Sequence, residues 1–500
     1  MKERKIDWLL TLVPFALIVG LTGWLFIFPA AANDQISKIR FFFGDTLGAF
    51  YIVMGIAVLI VSLFLSFSGY GSIVLGEPGE KPKYSFFTWG SMVFTCGLAA
   101  DILFYSFSEW MMYADNPHVE SLEWAGVYPL FHWSFIPWAF YLVLAVAFGF
   151  MLHVRKRNKQ RYSEACRPVI GKMAEGLLGR FIDMFALFAL LAGTATTFSV
   201  ATPLMAEIIT SLTGTAVSRT AVTIIILILT CAIYTYAAIY GFKGISFLAK
   251  FCIGLFFVLI MIVLVIGGQA RFIIENGIQS FGMMLQNFIG LASYTDPTRA
   301  TSFPQDWTIY YWAYWMVWCI AAPFFIGKIS QGRTIRQTVL GGYVFGVGST
   351  IVSFIVLGNY SLGLQIGGKM DFLAQYRADG DLYHLIISVV NTLPGHQIIM
   401  VIILICMIAF YATSFDSIAY TAACYSYKEI GSGEKPHKRV ILLWCILLIL
   451  LPIALTFSES SMNNIQSVSI ISAFPVGIIM ILMVWGFFKD AGKYRSGKQQ

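Results

Sequence analysis

The sequence predicts an all-α polytopic membrane protein with twelve transmembrane helices, on three observations. The first is composition: 58% of the 500 residues are apolar and only 12% are charged, whereas a water-facing domain carries about 25% charged residues. The second is a series of apolar runs, each near the roughly 20 residues a helix needs to cross a hydrocarbon core about 30 Å thick. The third is the placement of basic residues, which gather in alternate loops. Strand-type alternation of apolar and polar residues is absent, which argues against a barrel.

Taken in order, the runs cover 8–32, 47–71, 84–113, 124–153, 180–212, 219–240, 244–268, 307–329, 338–363, 397–427, 439–457 and 464–488. The first begins after Lys2, Arg4 and Lys5, and Ala30-Ala31-Ala32 resembles a cleavage site. Its core exceeds the 7–15 residues of a signal peptide, so it reads as a retained first span. Between segments seven and eight, Ile274, Ile278, Phe281, Leu285 and Phe288 recur at helical spacing. That pattern predicts an amphipathic helix in the membrane interface or against the bundle. A similar half-apolar stretch, 371–394, precedes segment ten. The placement divides the chain into two added helices (1–83), a first five-helix unit (84–268), a linker (269–306), a second five-helix unit (307–488) and a short tail (489–500).

An even number of spans puts both termini on one side. The loops of the opposite side hold Lys38, Arg40, Arg219, Arg271, Arg299, Lys369 and Arg377, and Lys250 falls inside a segment. All other basic residues among the 33 lie on the side of the termini, which predicts that both termini are cytoplasmic. The net charge of +7 is therefore a topology signal, with no nucleic-acid partner implied. Eight cysteines without a CxxC, and six histidines without metal spacing, predict neither a disulfide framework nor a metal cluster. No phosphate loop, dinucleotide fingerprint or nucleophile elbow is present, so neither an enzyme nor an ATP-driven pump is expected.

Three segments carry candidate chemistry. Segment three places Asp101 near mid-membrane behind the small residues Gly97, Ala99 and Ala100. A carboxylate there costs about 2.5–3.5 kcal/mol on insertion scales, which makes it a functional candidate, and the alternative is an internally paired structural Asp. Segment four carries Trp133, Trp138 and Tyr141 on one side of a helix, and segment eight carries Trp307, Tyr311, Trp315 and Trp318 at i, i+4, i+8 and i+11. Facing stripes build either an ordinary core or an aromatic cage. A cage suits a quaternary ammonium, held by about 0.5–2 kcal/mol per cation–π contact. In segment ten, Thr413, Ser414 and Ser417 surround Asp416; they offer oxygens to a hard cation or simply pack between helices.

The stretches FHWSFIPWAFY (131–141), SFPQDWTIYYWAYW (302–315), ISQGRTIRQ (329–337) and ATSFDS (412–417) resemble the betaine/carnitine/choline transporter family over nearly the full length. The resemblance implies a leucine-transporter-type fold with two inverted five-helix repeats, segments 3–7 and 8–12, working by alternating access. It also implies a homotrimer in a bacterial inner membrane. By motif, the family's aromatic box falls on Trp133, Trp138, Tyr141 and Trp315, with a further aromatic at Trp318. The sodium site of the betaine carriers falls on the Thr413 and Ser414 side chains and the backbone of Thr95, Leu98 and Phe410.

Departures from the pattern guide the substrate reading. Asp101 stands where betaine carriers have a glycine and choline carriers an aspartate. A carboxylate there repels a substrate's own carboxylate and attracts a net cation such as choline. The arginine and methionine that resemble sodium substitutes in carnitine exchangers are Ser246 and Ala322 here, which favours cation-coupled uptake over the runner-up, carnitine or betaine exchange. A transporter-like sensor is a third reading, disfavoured by the short tails. Tyr314 replaces the family's Trp before Trp315, and Glu109-Trp110 replaces an acidic-proline pair, a change the sequence does not explain.

Overall fold

The protein was analysed as a computed structural model. It describes residues 6–497 apart from 98–99, 158, 160, 216, 241–242, 429, 431–434 and 459–461, with backbone alone at 243–250, 252, 413, 416–417 and 462–464. The regular structure of the described residues is helical, with no strand beyond two isolated bridges, Ile6 with Tyr427 and Val74 with Thr334. The helices are α1 (Trp8–Ile27), α2 (Pro29–Arg40), α3 (Gly48–Phe67), α4 (Phe86–Thr95), α5 (Ala100–Ala114), α6 (Leu122–His132) and α7 (Phe135–Gly149). They continue as α8 (Tyr162–Ile170), α9 (Leu177–Thr213), α10 (Arg219–Tyr240), α11 (Lys243–Met261), α12 (Ala270–Ser293), α13 (Ile309–Trp318) and α14 (Ala322–Ile329). The last third holds α15 (Ile335–Ser353), α16 (Asn359–Ile366), α17 (Phe372–Asp379), α18 (Leu382–Asn391), α19 (His396–Tyr425), α20 (Lys438–Phe457) and α21 (Met462–Arg495).

Among the described residues, eight helical runs are long and apolar enough to cross a membrane, and eleven if each of three bent pairs is one span. The chain is thus a multi-pass membrane protein, but not every predicted segment is a continuous helix. Segment three is interrupted between α4 and α5, which meet at 68°, and segment eight between α13 and α14, at 54°. Local chemistry accounts for the second break: Pro323 has no N–H to bond back into α13. The third bend, 109° between the Ile253–Ile266 run and α12, turns at Gly267-Gly268, where Gly268 takes a φ of +73° that favours glycine. Segment ten corresponds to the 30-residue α19.

Burial sorts the helices into shells. In the most apolar stretches of α1 and α10, one third is buried, against 83% in α9 and 89% in the run from Leu122 to Val154. The outer helices therefore turn apolar faces outward, as α10 does with Ile225, Ile228, Leu229 and Tyr236, all exposed. α5 is central: every residue from Ala100 to Tyr113 is buried, and α5 packs on α6, α9 and α19. In α12 the expected stripe divides: Ile274, Ile278 and Leu285 are exposed, with Ile278 at 72%, Phe281 and Phe288 are half-buried, Phe288 lying 5.6 Å from Phe131, and Ile273, Asn276, Ser280 and Met284 face the bundle. An apolar face turned away from the protein is what an interface helix presents to lipid.

The ends of the chain and the basic loop meet on one face. Asp7 N–H donates to the Ser426 carbonyl (2.8 Å), and Arg180 pairs with Asp7 (3.6 Å). Arg155 and Arg157 both pair with Asp490 of α21, at 2.7 and 2.9 Å. Arg161 reaches Asp183 (3.4 Å) at the start of α9 and the backbone carbonyl of Tyr427. At the other end, Arg219 of α10 pairs with Glu207 of α9 (2.8 Å) and with Asp381, which caps α18.

Candidate functional site

The site is built where α6 breaks into α7. Pro137 lacks the N–H that would otherwise bond back across the junction, and at Trp133 and Ser134 the chain leaves helical geometry, with Ser134 at φ −113°, ψ −119°. The Thr350 hydroxyl of α15 donates to the carbonyl of Trp133 at 2.5 Å and pins the break. The indole of Trp133 thereby projects into the bundle, and Trp138 and Tyr141 follow on the first turns of α7.

Four of the aromatic residues expected from the sequence come together around Trp315 of α13. Its ring lies 5.7 Å from Trp133, 5.9 Å from Trp138 and 4.9 Å from Tyr141, and Trp138 lies 5.5 Å from Tyr141. These contacts are tilted or edge-to-face, the favourable arrangement for aromatic quadrupoles. All four rings are at most 5% exposed. Gly97 and Gly346 clamp the Trp138 indole; a Cβ on Gly97 would stand 2.9 Å from Trp138 Cζ2, so a larger residue would push the ring away. Trp318 lies elsewhere: it is half-buried, 6.4 Å from Phe415 of α19, and a Cβ on Gly193 of α9 would meet it at 3.4 Å.

Asp101 opens α5 directly after the interruption and is 2% exposed. Its Oδ2 accepts the hydroxyl proton of Tyr314, the neighbour of Trp315 on α13. Thr197 of α9 meets the same hydroxyl at 2.5 Å; because the Tyr314 proton is given to Asp101, Thr197 is the donor there. Asp101 Oδ1 has no hydrogen-bond partner among the described residues, and no ion pair to Asp101 is present among them. Sequence reasoning named Asp101 and Tyr314 but not Thr197, which gave no signal beyond a threonine in an apolar run.

A second carboxylate, Glu109, lies two turns along the same face of α5. It is fully buried; Oε1 accepts from Tyr113 and Oε2 from Trp133 Nε1 at 3.0 Å. Tyr113 also meets His132 Nδ1 at 2.6 Å, and His132 Nε2 meets Thr308 Oγ1 at 3.0 Å. With the Tyr113 proton given to Glu109, His132 carries its proton on Nδ1 and accepts from Thr308. Trp110, the other half of the unexplained pair, donates to Ser361 Oγ at 2.8 Å. The stripe Asp101, Tyr105, Glu109, Tyr113 follows i, i+4, i+8, i+12 and was readable as one helix face.

For the expected cation site, Leu98 and the Thr413 side chain lie outside the described residues. Thr95 ends α4, where its hydroxyl donates to Met92 O at 2.7 Å, Phe410 is buried on α19, and Ser414 is half-buried one turn further. The side chain of Ser246 is also outside the described residues, and Ala322 opens α14.

The sequence was compared with known proteins. A family model described as BCCT, betaine/carnitine/choline family transporter, matches residues 9–496. A protein named carnitine transporter from Acinetobacter baumannii is 28% identical over 444 residues, covering 86% of this chain and 79% of the relative. An uncharacterized transporter of Escherichia coli, YeaV, is 27% identical over 438 residues, covering 85% and 89%. Members of this family are transporters and not enzymes. With the match running across almost the whole chain, the protein belongs to the betaine/carnitine/choline transporter family.

Proposed function

We propose that the protein takes up choline, or a similar trimethylammonium compound with net positive charge, by cation-coupled alternating access. The observation that carries this reading is Asp101 Oδ1, a buried carboxylate oxygen without a hydrogen-bond partner among the described residues, on a side chain whose other oxygen accepts from Tyr314, the chain neighbour of Trp315 in the aromatic cluster. A carboxylate with no cationic partner among the described residues carries a desolvation cost in a low-dielectric bundle. A cationic substrate offsets that cost, and a substrate hydroxyl supplies the donor that Oδ1 lacks. The rings of Trp133, Trp138, Tyr141 and Trp315 hold the trimethylammonium head, which cannot donate an N–H and is bound through cation–π attraction. Tyr314 orients Asp101, and Trp318 serves a neighbouring position on the substrate path between α9 and α19.

In this reading α19 counts as a further span, giving twelve spans in a leucine-transporter-type arrangement with both termini in the cytoplasm of a bacterial inner membrane. Sodium is the first candidate coupling ion, held by Thr413 and Ser414 with backbone oxygens of Thr95, Leu98 and Phe410. A proton is the alternative. A homotrimer is the expected assembly.

The relative named carnitine transporter motivates a second reading, exchange of carnitine or betaine. Asp101 opposes it, since both compounds carry a carboxylate that would face a like charge. Uptake of labelled choline, betaine and carnitine into proteoliposomes, with and without sodium or proton gradients, separates the readings. Gradient-driven accumulation of choline is expected. Gradient-independent counterflow of carnitine or betaine, with choline excluded, would replace the first reading by the second.

A further inference from the structure

Three indoles form the aromatic cluster, and their N–H groups differ. Those of Trp138 and Trp315 have no acceptor among the described residues. That of Trp133 has one, the Oε2 of Glu109 at 3.0 Å. Glu109 is itself held from the other side by Tyr113, and Tyr113 by His132 and Thr308. The chain of contacts joins α5, α6 and the turn leading into α13, and every member is at most 4% exposed.

We propose that Glu109 is a positioning residue for the aromatic cage: its carboxylate fixes the orientation of the Trp133 ring. The geometry favours this over generic packing. Rings surround Trp133, with Tyr105 at 5.6 Å, Tyr311 at 5.6 Å and Phe354 at 5.2 Å, but tilted and edge-to-face contacts are satisfied over a broad range of ring angles. A hydrogen bond to a carboxylate is directional and about twice as strong as a neutral one. It sets which face Trp133 turns toward Trp315. The carboxylate holds the ring by its Nε1 edge. No basic side chain pairs with Glu109 among the described residues, and both of its oxygens are used within the chain of contacts.

The inference rests on the cage reading for its effect on substrate, so the test carries a readout that needs no substrate. The full-length protein is labelled with 5-fluorotryptophan, and the Trp133 resonance is identified by its loss in Trp133→Phe. In the absence of substrate, Glu109→Ala is expected to shift the Trp133 resonance most, to move that of Trp315 less through their 5.7 Å ring contact, and to leave that of Trp138 in place, while Glu109→Gln, which keeps an acceptor, restores it. In uptake assays Glu109→Ala is expected to raise the choline KM by about tenfold, the factor that follows from leaving one buried N–H without its acceptor, with a smaller change in maximal rate. Glu109→Asp keeps the charge but shortens the reach, and provides the same readouts if Glu109→Ala does not fold; a shifted Trp133 resonance and a raised KM are expected for it too. An unmoved Trp133 resonance in every folded Glu109 variant overturns the proposal. A moved resonance in a protein whose choline uptake is indifferent to Trp315→Leu upholds the Glu109–Trp133 link and removes the cage reading instead.

Discussion

Asp101 and Glu109 sit on one face of α5, about 12 Å apart along the axis at 1.5 Å per residue, and both are buried. They differ in how their oxygens are used. Glu109 spends both on protein donors, Tyr113 and Trp133. Asp101 accepts from Tyr314 through Oδ2 and keeps Oδ1 free among the described residues. A carboxylate whose oxygens are both satisfied by the fold is part of the scaffold. One with an open oxygen beside aromatic rings still has something to bind. The two carboxylates of one helix thus differ in their hydrogen-bond inventory where they do not differ in burial.

The largest expected effect falls on the open carboxylate. Asp101→Gly should raise the choline KM by at least roughly thirtyfold, since truncating one partner of a desolvated charge pair costs 2 kcal/mol or more, and it should admit betaine. Choline transport left intact would break the comparison. Next, Trp315→Leu should weaken choline binding by up to roughly thirtyfold from the lost cation–π contact alone, at unchanged expression, in a direct binding assay. Tyr113→Phe sharpens the scaffold side: it strands Glu109 Oε1 and His132 Nδ1, and should destabilise the fold by about 1–3 kcal/mol, read as a lower thermal midpoint of the purified protein, with substrate selectivity retained. The smallest change is expected for Thr197→Val, which removes one donor to Tyr314; a loss of about 1 kcal/mol corresponds to a fivefold or so rise in choline KM.

Much of the helical framework was legible in the sequence because apolar length is a strong signal in a lipid solvent. The expected 219–240 segment coincides with α10, and 439–457 lies within one residue of α20 at its start. The interruptions were less legible. Gly97 and the small residues before Asp101 hinted at one, whereas the kink at Trp133-Ser134 and the bend after α13 depend on how prolines sit against neighbouring helices. Helical spacing relates Trp138 to Tyr141 within α7, but Trp133 lies across the break from them, and spacing alone does not say which ring a face meets. That is why Trp318, on the same stripe as Trp315, lies against Phe415 of α19 instead. The partners of the two carboxylates were invisible for the same reason: Thr197 lies 96 positions from Asp101 and Tyr314 lies 213 away, so only the folded bundle brings them together.

The central claim is that the open oxygen of Asp101 selects a net cation, and it is tested most directly by titrating choline and betaine, in separate experiments, into the purified wild-type protein and into Asp101→Asn, which keeps the shape and removes the charge. The account predicts that the wild type binds choline and excludes betaine, and that Asp101→Asn loses most of its choline affinity while gaining betaine binding. Equal choline affinity in the two proteins, or betaine binding by the wild type, would contradict it.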